Sequence, residues 1–411
     1  MEFLIVDSVE TAREKLYSHS KNWLIKTETV PMEAALGRIL AEDIAAKEDM
    51  PSFRRSTVDG YAVLSADTAA ASEAIPVFLT IKAEIEMGRA VFFDIGHGEC
   101  AEIPTGGMMP KGADAVVMVE YCERFGADKA AVYNSVANGE NVVQIGEDAK
   151  KGELVARRGK RLLPQDVGAL AAIGATSVPV FVLPHITIIS TGDELVSPDK
   201  KPAIGQVRDI NTHSLSALAQ KEGYVVTGTH VLPDDEIKLE QAIRLAMETE
   251  TDDIVIVSGG SSQGAKDMTK AVIDRICSPG VFVHGLALKP GKPTILACDD
   301  KSKTLVAGLP GHPVSAMIVF ELIFAWLLRE ITGSRENFAV PAQISVNVAS
   351  SPGKLTCWPV KLQWTGEGYL AEPIFKKSGL ITALTEADGY FIVERNTEGL
   401  KPGQTVLVFL F

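Results

Sequence analysis

Residues 253–267 read DIVIVSGGSSQGAKD, so a run of β-branched apolar residues leads directly into a loop of glycines and serines. The apolar half has the length and composition of a strand that is buried on both faces of a sheet. The polar half ends at Asp267, where the pattern predicts a helix over 267–276. A buried strand, a glycine-rich loop and a helix in this order are typical of α/β folds.

The same unit recurs through the section 184–332. Further strands are predicted at 185–190, 224–231, 293–297 and 304–307, and further helices at 211–221, 235–248 and 313–329. Strands that alternate with helices predict a parallel, doubly wound sheet. Ligands of such sheets bind outside the carboxyl ends of the strands, so the loops that follow the strands form the candidate site.

The sections before and after this α/β section have different residue patterns. Helical patterns cover 9–24, 32–40 and 161–173, while short apolar runs between glycine turns predict a β-rich module from 56 to 155. From 336 to 411, alternating segments between glycine turns predict a small all-β module, a barrel or a sandwich. The chain therefore combines an α/β section with β-rich sections on both sides.

The charge of the chain limits its partners. Lys and Arg number 40 and Asp and Glu number 53, which gives a net charge of -13. A field of this sign repels nucleic acid and anionic membranes, so neither is an expected partner. It also repels small anions, so a phosphate or oxyanion substrate requires local cations or a bound metal ion.

Cysteine usage and the apolar stretches indicate a cytoplasmic protein. The five cysteines are odd in number and form no CxxC pair, which is typical of buried thiols in a reducing compartment. Residues 1–10 carry three acidic and no basic residues, so no secretory signal is expected. The apolar stretch 316–328 is short for a membrane span and contains Glu321.

Carboxylates lie in the loops that follow the predicted strands. Asp193, Glu194, Asp234 and Asp267 offer the oxygen ligands that Mg²⁺ prefers, and the nearby glycines with Ser and Thr let backbone N–H groups approach a phosphate. Each loop alone has a plainer interpretation, because Asp234 or Asp235, and also Asp267, can simply cap the following helix. Four such loops at one edge favour a nucleotide- or phosphate-binding site.

A second candidate is the segment 288–293 (LKPGKP). Its two prolines and glycine exclude a helix, so Lys289 and Lys292 are held in a stiff, cationic turn suited to an anion. The alternative is a solvated surface loop. His312 alone is not enough for a catalytic base, and a surface residue at a helix start is its favoured interpretation.

Eight stretches in a fixed order carry a family resemblance. They are 56–63 (STVDGYAV), 104–120 (PTGGMMPKGADAVVMVE), 146–148 (GED), 190–195 (STGDEL), 205–211 (GQVRDIN), 258–267 (SGGSSQGAKD), 289–293 (KPGKP) and 309–315 (LPGHPVS). In these stretches the chain resembles the MoeA-type molybdopterin molybdenumtransferases, whose eukaryotic counterparts include the E domain of gephyrin. No single stretch is decisive, but the ordered set is highly specific.

The resemblance implies a multi-domain α/β fold with four subdomains. These are a helical linker subdomain (1–45 and 149–180), a β-rich subdomain (46–148), a MogA-like α/β subdomain that binds molybdopterin (181–332) and a C-terminal small β-barrel (333–411). It also implies an elongated homodimer, in which the β-rich subdomain of one chain lies near the α/β subdomain of the other. The molybdopterin adenylyltransferase is a candidate further partner.

The implied activity is the Mg²⁺-dependent insertion of molybdate into adenylylated molybdopterin with release of AMP. The resemblance implies catalytic roles for Asp59, Asp148, Glu194 and Asp267, and metal ligation by Glu194, Asp234 and Asp267. The residues implied to bind the substrates are Thr105, Ser190, Thr191, Gly192, Asp234, Gly259, Gly260, Ser261, Lys289, Lys292, Pro310, Gly311, Ser315 and Ser378.

Three departures from the family pattern affect details. Arg54, followed by Arg55, stands where the family has an Asp, the glycine loop contains Gln263 and Ala265, and Pro359 stands where an Arg of the proposed oxyanion pocket is expected. Two other functions remain open: a non-enzymatic scaffold or sensor on the same fold, and a molybdopterin adenylyltransferase. The sequence does not decide between molybdate and tungstate.

Overall fold

The computed structural model describes residues 6–24, 26–248, 252–259, 263–334 and 338–411, with the side chains of 263–267 left out. Within this part of the chain the α/β section forms a sheet of six strands. Their order across the sheet is Val225–Leu232, His185–Thr191, Ile254–Gly259, Thr304–Leu309, Ile295–Asp299 and Pro279–His284. Strands 293–297 and 304–307 of the prediction thus lie next to each other in the sheet.

The first four strands are mutually parallel, and Ile295–Asp299 is antiparallel to both of its neighbours, Thr304–Leu309 and Pro279–His284. The prediction of a wholly parallel sheet is therefore wrong at one edge. Asp299 pairs with Thr304, so the intervening connection is a hairpin and is too short for a parallel crossover. The edge strand Pro279–His284 was not predicted, because it begins with Pro279 and Gly280, which are both depleted in strands.

Helices cover both faces of this sheet, as a doubly wound fold requires. They are Asn211–Glu222, Glu236–Glu248, Gln263–Ile276, Pro313–Phe320 and Trp326–Thr332, the last two joined by a π-helical turn at Glu321–Ala325. Successive residues of the central strand point to opposite faces. Ile188 packs in one core with Leu215 and Phe320, and Ile189 packs in the other with Leu239.

The helix Gln263–Ile276 begins four residues before its predicted start at 267. Asp267 therefore lies inside the helix, and its interpretation as the cap of that helix is wrong. The helix Glu236–Glu248 starts one residue after its predicted start, which leaves Asp235 just before it.

The N-terminal helix Val9–Ser20 packs against the α/β section. Val9, Ala12 and Leu16 are buried in the same core as Phe320. Ser8 caps this helix by accepting a hydrogen bond from the Thr11 N–H (3.1 Å), and the helix ends before the predicted residue 24.

The remaining linker elements are short. Thr27–Pro31 pairs with Ser177–Phe181, Ile44–Ala45 pairs with Leu154–Ala156, and Pro164–Ala172 is a helix. The predicted helix over 32–40 is wrong, since only the 3-10 turn Met32–Ala34 forms. Gly37 adopts a φ of 76°, which a helix cannot accommodate, and Leu36 is left exposed.

The β-rich module is also built on a sheet of six described strands. Their order is Ala115–Met118, Gly60–Val63, Glu99–Ile103, Val77–Glu84, Lys129–Val132 and Cys122–Phe125, with Arg55–Ser56 and Val142–Val143 as a separate pair and 3-10 turns at Ser65–Thr68 and Val119–Tyr121. Gly60 is required by close packing, because a Cβ there would lie 1.9 Å from the Val117 carbonyl oxygen.

The C-terminal module is a closed barrel, one of the two predicted forms. Around the ring its strands are Leu355–Trp364, Tyr369–Pro373, Ala339–Ile344, Thr405–Leu410 and Gly389–Val393, the last pairing again with the first. The smaller elements nearby are the strand pairs Leu195–Val196 with Val207–Arg208 and Val348–Ala349 with Gly399–Leu400, and the helix Thr382–Thr385.

All five cysteines are free thiols, and four of them are buried. Among the helices that the structure describes, none combines the length and apolar character needed to cross a membrane.

Candidate functional site

The parallel strands end together at one edge of the α/β sheet. Thr191 and Gly259 are register partners at this edge, and Thr191 is also paired with Leu232. The strand ends at Thr191 and Gly259 therefore line one cleft together with Glu194 and Gly311, at the edge where the sequence predicts a switch-point site.

Asn211 ties these loops together. Its side-chain Nδ2 donates hydrogen bonds to Ser258 Oγ (2.8 Å) and to the Gly311 carbonyl oxygen (2.9 Å). Ser258 Oγ in turn donates to the Pro310 carbonyl oxygen (3.2 Å). The sequence motif contained Asn211, but no local pattern indicated that it would join three separate loops.

Three buried polar atoms at this edge have no hydrogen-bond partner in the described protein. They are Ser190 Oγ, Thr191 Oγ1 and Asn211 Oδ1, and their residues are 1%, 2% and 7% exposed. All three residues line a cleft of about 350 Å³, which we call the edge cleft. Because buried polar groups are normally hydrogen-bonded, these atoms indicate a polar ligand in the edge cleft.

Gly259 lets two backbones approach closely beside these atoms. Its φ is 152°, and a Cβ there would lie 2.3 Å from both the carbonyl oxygen and Oγ1 of Thr191. Any side chain at this position would push the two strand ends apart. Gly260 and Ser261, the next two residues of the glycine-rich loop, lie outside the described residues.

A larger cleft of about 570 Å³, which we call the lysine cleft, opens next to the edge cleft. The two clefts share Gly259, Gly311 and His312. Among the described residues that line the lysine cleft there is no carboxylate, and its cations are Lys289, Lys292, Lys354, Lys376 and Lys377. In a chain with a net charge of -13, this is the local cation concentration that an anionic substrate needs.

The α/β section and the barrel form the lysine cleft together. Leu288 and Lys289 pair in parallel with Leu355 and Thr356 of the barrel. Gly291 adopts a φ of 127°, and a Cβ there would lie 2.7 Å from side-chain atoms of both Leu288 and Val319. The turn predicted from the prolines and glycine is therefore packed against a helix, and it presents the exposed side chains of both its lysines to the cleft.

Two hydroxyl groups and one imidazole also line the lysine cleft. Ser315 is buried and lines the lysine cleft. His312 Nδ1 lies 2.9 Å from Ser378 Oγ of the barrel module. His312 is exposed at a helix start, as expected, but it also lies where the two clefts meet. A lone histidine in the sequence carries no signal for that position.

Two further carboxylates, Asp193 and Asp234, lie near Glu194 at the edge cleft. Asp193 Oδ1 accepts a hydrogen bond from the Asp234 N–H (3.1 Å), and Glu194 lines the edge cleft. Partial burial and the neighbouring charges of Asp193 and Glu194 raise the pKa of the Asp234 carboxyl. This mutual repulsion fits a cation site of oxygen ligands.

Asp235 has a different role. Its Oδ1 accepts hydrogen bonds from the N–H groups of Ile237 (2.9 Å) and Lys238 (3.0 Å), so it caps the helix that follows. Asp234 is the one of the pair that faces the other carboxylates. Among described side chains, Asp193, Glu194 and Asp234 do not bring three oxygens within 4.8 Å of one another. A Mg²⁺ ion would therefore also take water or substrate oxygens.

A second group of motif residues lies in the β-rich module. Asp59 Oδ1 accepts a hydrogen bond from the Thr105 N–H (2.7 Å), and hydrogen bonds from the Thr105 backbone and side chain lower the pKa of Asp59. The loop of Asp148 is anchored by its N–H donating to the Met50 carbonyl oxygen (3.0 Å). Asp59, Thr105 and Asp148 are exposed. They are not among the described residues that line the two clefts of their own chain.

Arg54 and Pro359, which depart from the family pattern, lie in the β-rich module and in the barrel, respectively. Arg54 donates to the carbonyl oxygens of Ala113 (3.1 Å) and Pro110 (3.3 Å), so its guanidinium holds a loop of the β-rich module. Pro359 lines the lysine cleft, where Lys354 and Lys377 also lie. The cleft therefore keeps cations although the expected arginine is absent.

Family models match most of the chain. The MoeA N-terminal region (domain I and II) matches residues 7–174, a probable molybdopterin binding domain matches 187–330, and the MoeA C-terminal region (domain IV) matches 341–411. These matches cover both the α/β section and the modules on either side of it.

Individual relatives agree over nearly the whole length. A putative molybdopterin biosynthesis protein of Methanocaldococcus jannaschii is 34% identical over 94% of this chain and 92% of its own. The molybdopterin molybdenumtransferase of Bacillus subtilis is 33% identical over 94% and 90%.

Solved structures show the same fold. Two crystal structures of molybdopterin biosynthesis MoeA proteins from Pyrococcus horikoshii have TM-scores of 0.78 and 0.81 at 37% and 32% identity, and they cover at least 98% of both chains. The resemblance seen in the sequence and the predicted multi-domain α/β fold with a small barrel are confirmed. The chain belongs to the MoeA family, the molybdopterin molybdenumtransferases of molybdenum cofactor biosynthesis.

Proposed function

We propose that this enzyme inserts molybdate into adenylylated molybdopterin and releases AMP in a Mg²⁺-dependent reaction. The observation that carries this proposal is the lysine cleft, whose described lining holds five lysines and no carboxylate in an otherwise acidic chain. One of the five, Lys376, is ion-paired with Glu386 outside that lining, which leaves Lys289, Lys292, Lys354 and Lys377 for an anion. The named activity of the Bacillus subtilis relative supports it.

In this proposal the lysine cleft holds the oxyanion. Lys289 and Lys292 are fixed by the packed turn around Gly291, and their ammonium groups act as point charges for molybdate. Ser315 and Ser378 offer hydroxyl donors at the same cleft. Cations held close together in a partly enclosed cleft raise the local anion concentration.

The edge cleft holds the pterin and phosphate part of the substrate. Ser190, Thr191 and Asn211 supply the unpartnered polar atoms, and the backbone near Gly192, Gly259, Pro310 and Gly311 lies at the carboxyl edge of the sheet. Because the two clefts adjoin at Gly259 and Gly311, both substrates reach one place.

Magnesium fits the carboxylate side of the edge cleft. Glu194 and Asp234 would hold it, with Asp267 as a third ligand by family resemblance, although the Asp267 side chain lies outside the description. When bound, Mg²⁺ neutralises charge on the phosphates and orients them as a Lewis acid and template. The protein itself positions the phosphates with backbone N–H groups and excludes bulk water by the walls of the two clefts.

We further propose that the active form is a homodimer with sites shared between the chains. Asp59, Thr105 and Asp148 form no part of either described cleft within one chain. In a dimer the β-rich module of the partner would bring these residues to the clefts, which would give Asp59 and Asp148 catalytic roles. We propose the cytoplasm as the location, because all five cysteines are free.

The experiment is an AMP-release assay on the purified protein. Adenylylated molybdopterin, Mg²⁺ and molybdate are expected to give AMP, measured by chromatography, and omission of Mg²⁺ is expected to stop its release. The same assay with tungstate determines the oxyanion preference. AMP production by a folded protein that does not depend on Mg²⁺ would contradict the proposal.

The alternatives give different products. An adenylyltransferase would form pyrophosphate from ATP and molybdopterin, whereas a scaffold or sensor would bind adenylylated molybdopterin without releasing AMP. The matches that cover the β-rich module and the barrel favour the insertase, since adenylyltransferases resemble only the α/β section. An interaction with the adenylyltransferase is testable by co-purification.

A further inference from the structure

A second group of metal-ligand side chains lies away from both clefts. His19 lies in the last turn of the N-terminal helix, Cys298 lies on the antiparallel strand Ile295–Asp299, and Asp300 follows that strand. His19 Nδ1 is 3.3 Å from Cys298 Sγ, and Cys298 Sγ is 3.9 Å from Asp300 Oδ1. Within the described residues this is the only group of three such ligand atoms that all lie within 4.8 Å of one another.

The spacing and chemistry of these atoms fit zinc. Zn²⁺ binds imidazole nitrogen at about 2.0 Å and thiolate sulfur at about 2.3 Å, and at tetrahedral angles these lengths place N and S about 3.5 Å apart. The same calculation places S and a carboxylate O about 3.6 Å apart. The observed distances of 3.3 and 3.9 Å lie close to these values. A thiolate with an imidazole selects Zn²⁺ over Mg²⁺, which prefers oxygen ligands.

We propose that His19, Cys298 and Asp300 bind one Zn²⁺ ion, with water as a fourth ligand. This site is separate from the proposed Mg²⁺ site, since none of the three residues lines the edge cleft or the lysine cleft. On binding, the Cys298 thiol loses its proton to solvent and the thiolate coordinates the metal ion.

The surroundings hold the three ligands in position. The imidazole ring of His19 stacks on Phe282 with a centroid distance of 4.5 Å, which fixes the ring plane. Cys298 is buried whereas Asp300 is exposed, so the group opens to solvent on one side. The carboxylate of Asp300 faces the sulfur and that of Asp299 lies next to it in the chain, so a cation bound at this position would offset their negative charge.

Asp299 is not an alternative ligand, because its carboxylate is already used. It accepts hydrogen bonds from the Ser278 N–H (3.0 Å) and from the N–H and hydroxyl of Ser302 (both 2.8 Å). No hydrogen bond of this kind to a backbone N–H is present for Asp300 among the described contacts, and its Oδ1 faces the Cys298 sulfur.

A zinc ion here would join segments that are far apart in the chain. His19 and Cys298 are separated by 279 positions, so the metal would tie the N-terminal helix to the central sheet. Because the unfolded chain cannot present these ligands together, binding stabilises the folded state by linkage. A simple imidazole–thiol hydrogen bond at the same distance would give no such metal-dependent effect.

Cobalt substitution tests this site directly. Protein freed of metal with a chelator is titrated with Co²⁺ in the absence of substrates. We expect one ion per chain, a thiolate-to-cobalt charge-transfer absorption in the near ultraviolet, and displacement of the cobalt by Zn²⁺. We also expect Zn²⁺ to raise the Tm of the metal-free protein. Absence of the charge-transfer band in the folded wild-type protein overturns the proposal.

Matched variants locate the ligands. Cys298→Ala and His19→Ala should lose the band and the Zn²⁺-dependent rise in Tm, while Asp300→Asn, at an exposed position, should keep the band at lower affinity. Cys277→Ala, which removes another buried thiol, and His213→Ala, which removes an exposed imidazole, are the controls and should behave as wild type. Cobalt binding that is equal in His19→Ala and wild type contradicts this assignment.

Discussion

Asp193 Oδ1 accepts a hydrogen bond from the backbone N–H of Asp234 at 3.1 Å. This contact joins the loops that follow two neighbouring parallel strands, and it places two carboxylates side by side. Asp235, one residue further on, turns instead to the start of its helix. The acidic pair 234–235 therefore divides into one residue that faces the site and one that caps a helix.

This division predicts that substitutions at Asp234 and Asp235 affect different properties of the protein. Asp234→Asn should raise the Mg²⁺ concentration needed for half-maximal AMP release, because it removes one negative oxygen from the carboxylate group. Asp235→Ala should leave the Mg²⁺ requirement unchanged but lower the free energy of unfolding by about 1 kcal/mol through loss of the cap. Mg²⁺ titrations and denaturant unfolding measure the two effects. Equal Mg²⁺ requirements in both variants would argue against a metal site at Asp234.

The lysine cleft predicts a specific loss of oxyanion affinity. Lys292→Ala should lower kcat/KM for molybdate by about 10- to 100-fold, since a hydrogen bond to a charged group contributes about 1.5–3 kcal/mol. Lys292→Arg should keep part of the activity, and Lys200→Ala, at an exposed position outside both clefts, should be neutral. The KM for molybdate should also rise with ionic strength. An unchanged KM in Lys292→Ala would place the oxyanion elsewhere.

A shared site in a homodimer predicts complementation between two impaired variants. Asp148→Ala and Lys292→Ala should each have strongly reduced activity alone, but a mixed dimer contains one site with both residues intact. Random mixing should restore about a quarter of the wild-type activity, since half of the dimers are mixed and each has one intact site of two.

The control for this experiment mixes Lys289→Ala with Lys292→Ala. Both lysines line the same cleft of one chain, so no intact site can form and the activity should not rise above that of the single variants. If the mixture of Asp148→Ala with Lys292→Ala also shows no rise while mixed dimers are present, the site is not shared between chains.

Buried Glu321 predicts a pH-dependent stability. Burial, with the neighbouring charge of Glu222, raises the pKa of Glu321 from 4.5 to about 7, and its Oε1 has no hydrogen-bond partner among the described residues. Between these two pH values the folded state keeps a proton that the unfolded state releases. The contribution of Glu321 to the free energy of unfolding therefore falls as the pH rises through this window.

Glu321→Gln should remove this dependence. Well above pH 7 the variant should be more stable than wild type by on the order of 3 kcal/mol, at about 1.4 kcal/mol per pH unit between the two pKa values. Below pH 4.5 the two should be alike. The exposed Glu330→Gln, on the same helical segment, is the control. Urea unfolding at several pH values measures the difference, and a constant difference across the range would show that Glu321 does not titrate in this window.

The parts of the fold that depend on local patterns were predictable. The apolar run before Ser258 and the glycine turn at Gly174 determine an element and its end within a few residues, and both are found in the structure. The apolar pattern of the strands does not distinguish parallel from antiparallel pairing, and only the short connection between Asp299 and Thr304 indicates the hairpin. Similarly, the apolar pattern over 32–40 is helical, and only Gly37, which adopts a positive φ, marks the break.

The residues of the candidate site were also only partly predictable from the sequence. The motif lysines Lys289 and Lys292 could be identified from the stiff turn that holds them. Lys354 and Lys377 could not be assigned, because only the packing of the barrel against the α/β section brings them to the same cleft. The absence of a partner for Asn211 Oδ1 depends on every surrounding segment, and no sequence pattern encodes it.

The most direct test of molybdenum insertion at the lysine cleft is a single-turnover reaction. In it, the molybdenum transferred to molybdopterin and the AMP released are both measured. With Mg²⁺ and molybdate present, the wild-type enzyme should yield the two in equal amounts and with the same time course, and Lys292→Ala should slow both by the same factor. AMP release without transfer of molybdenum, or transfer that is unaffected in Lys292→Ala, would contradict insertion at the lysine cleft.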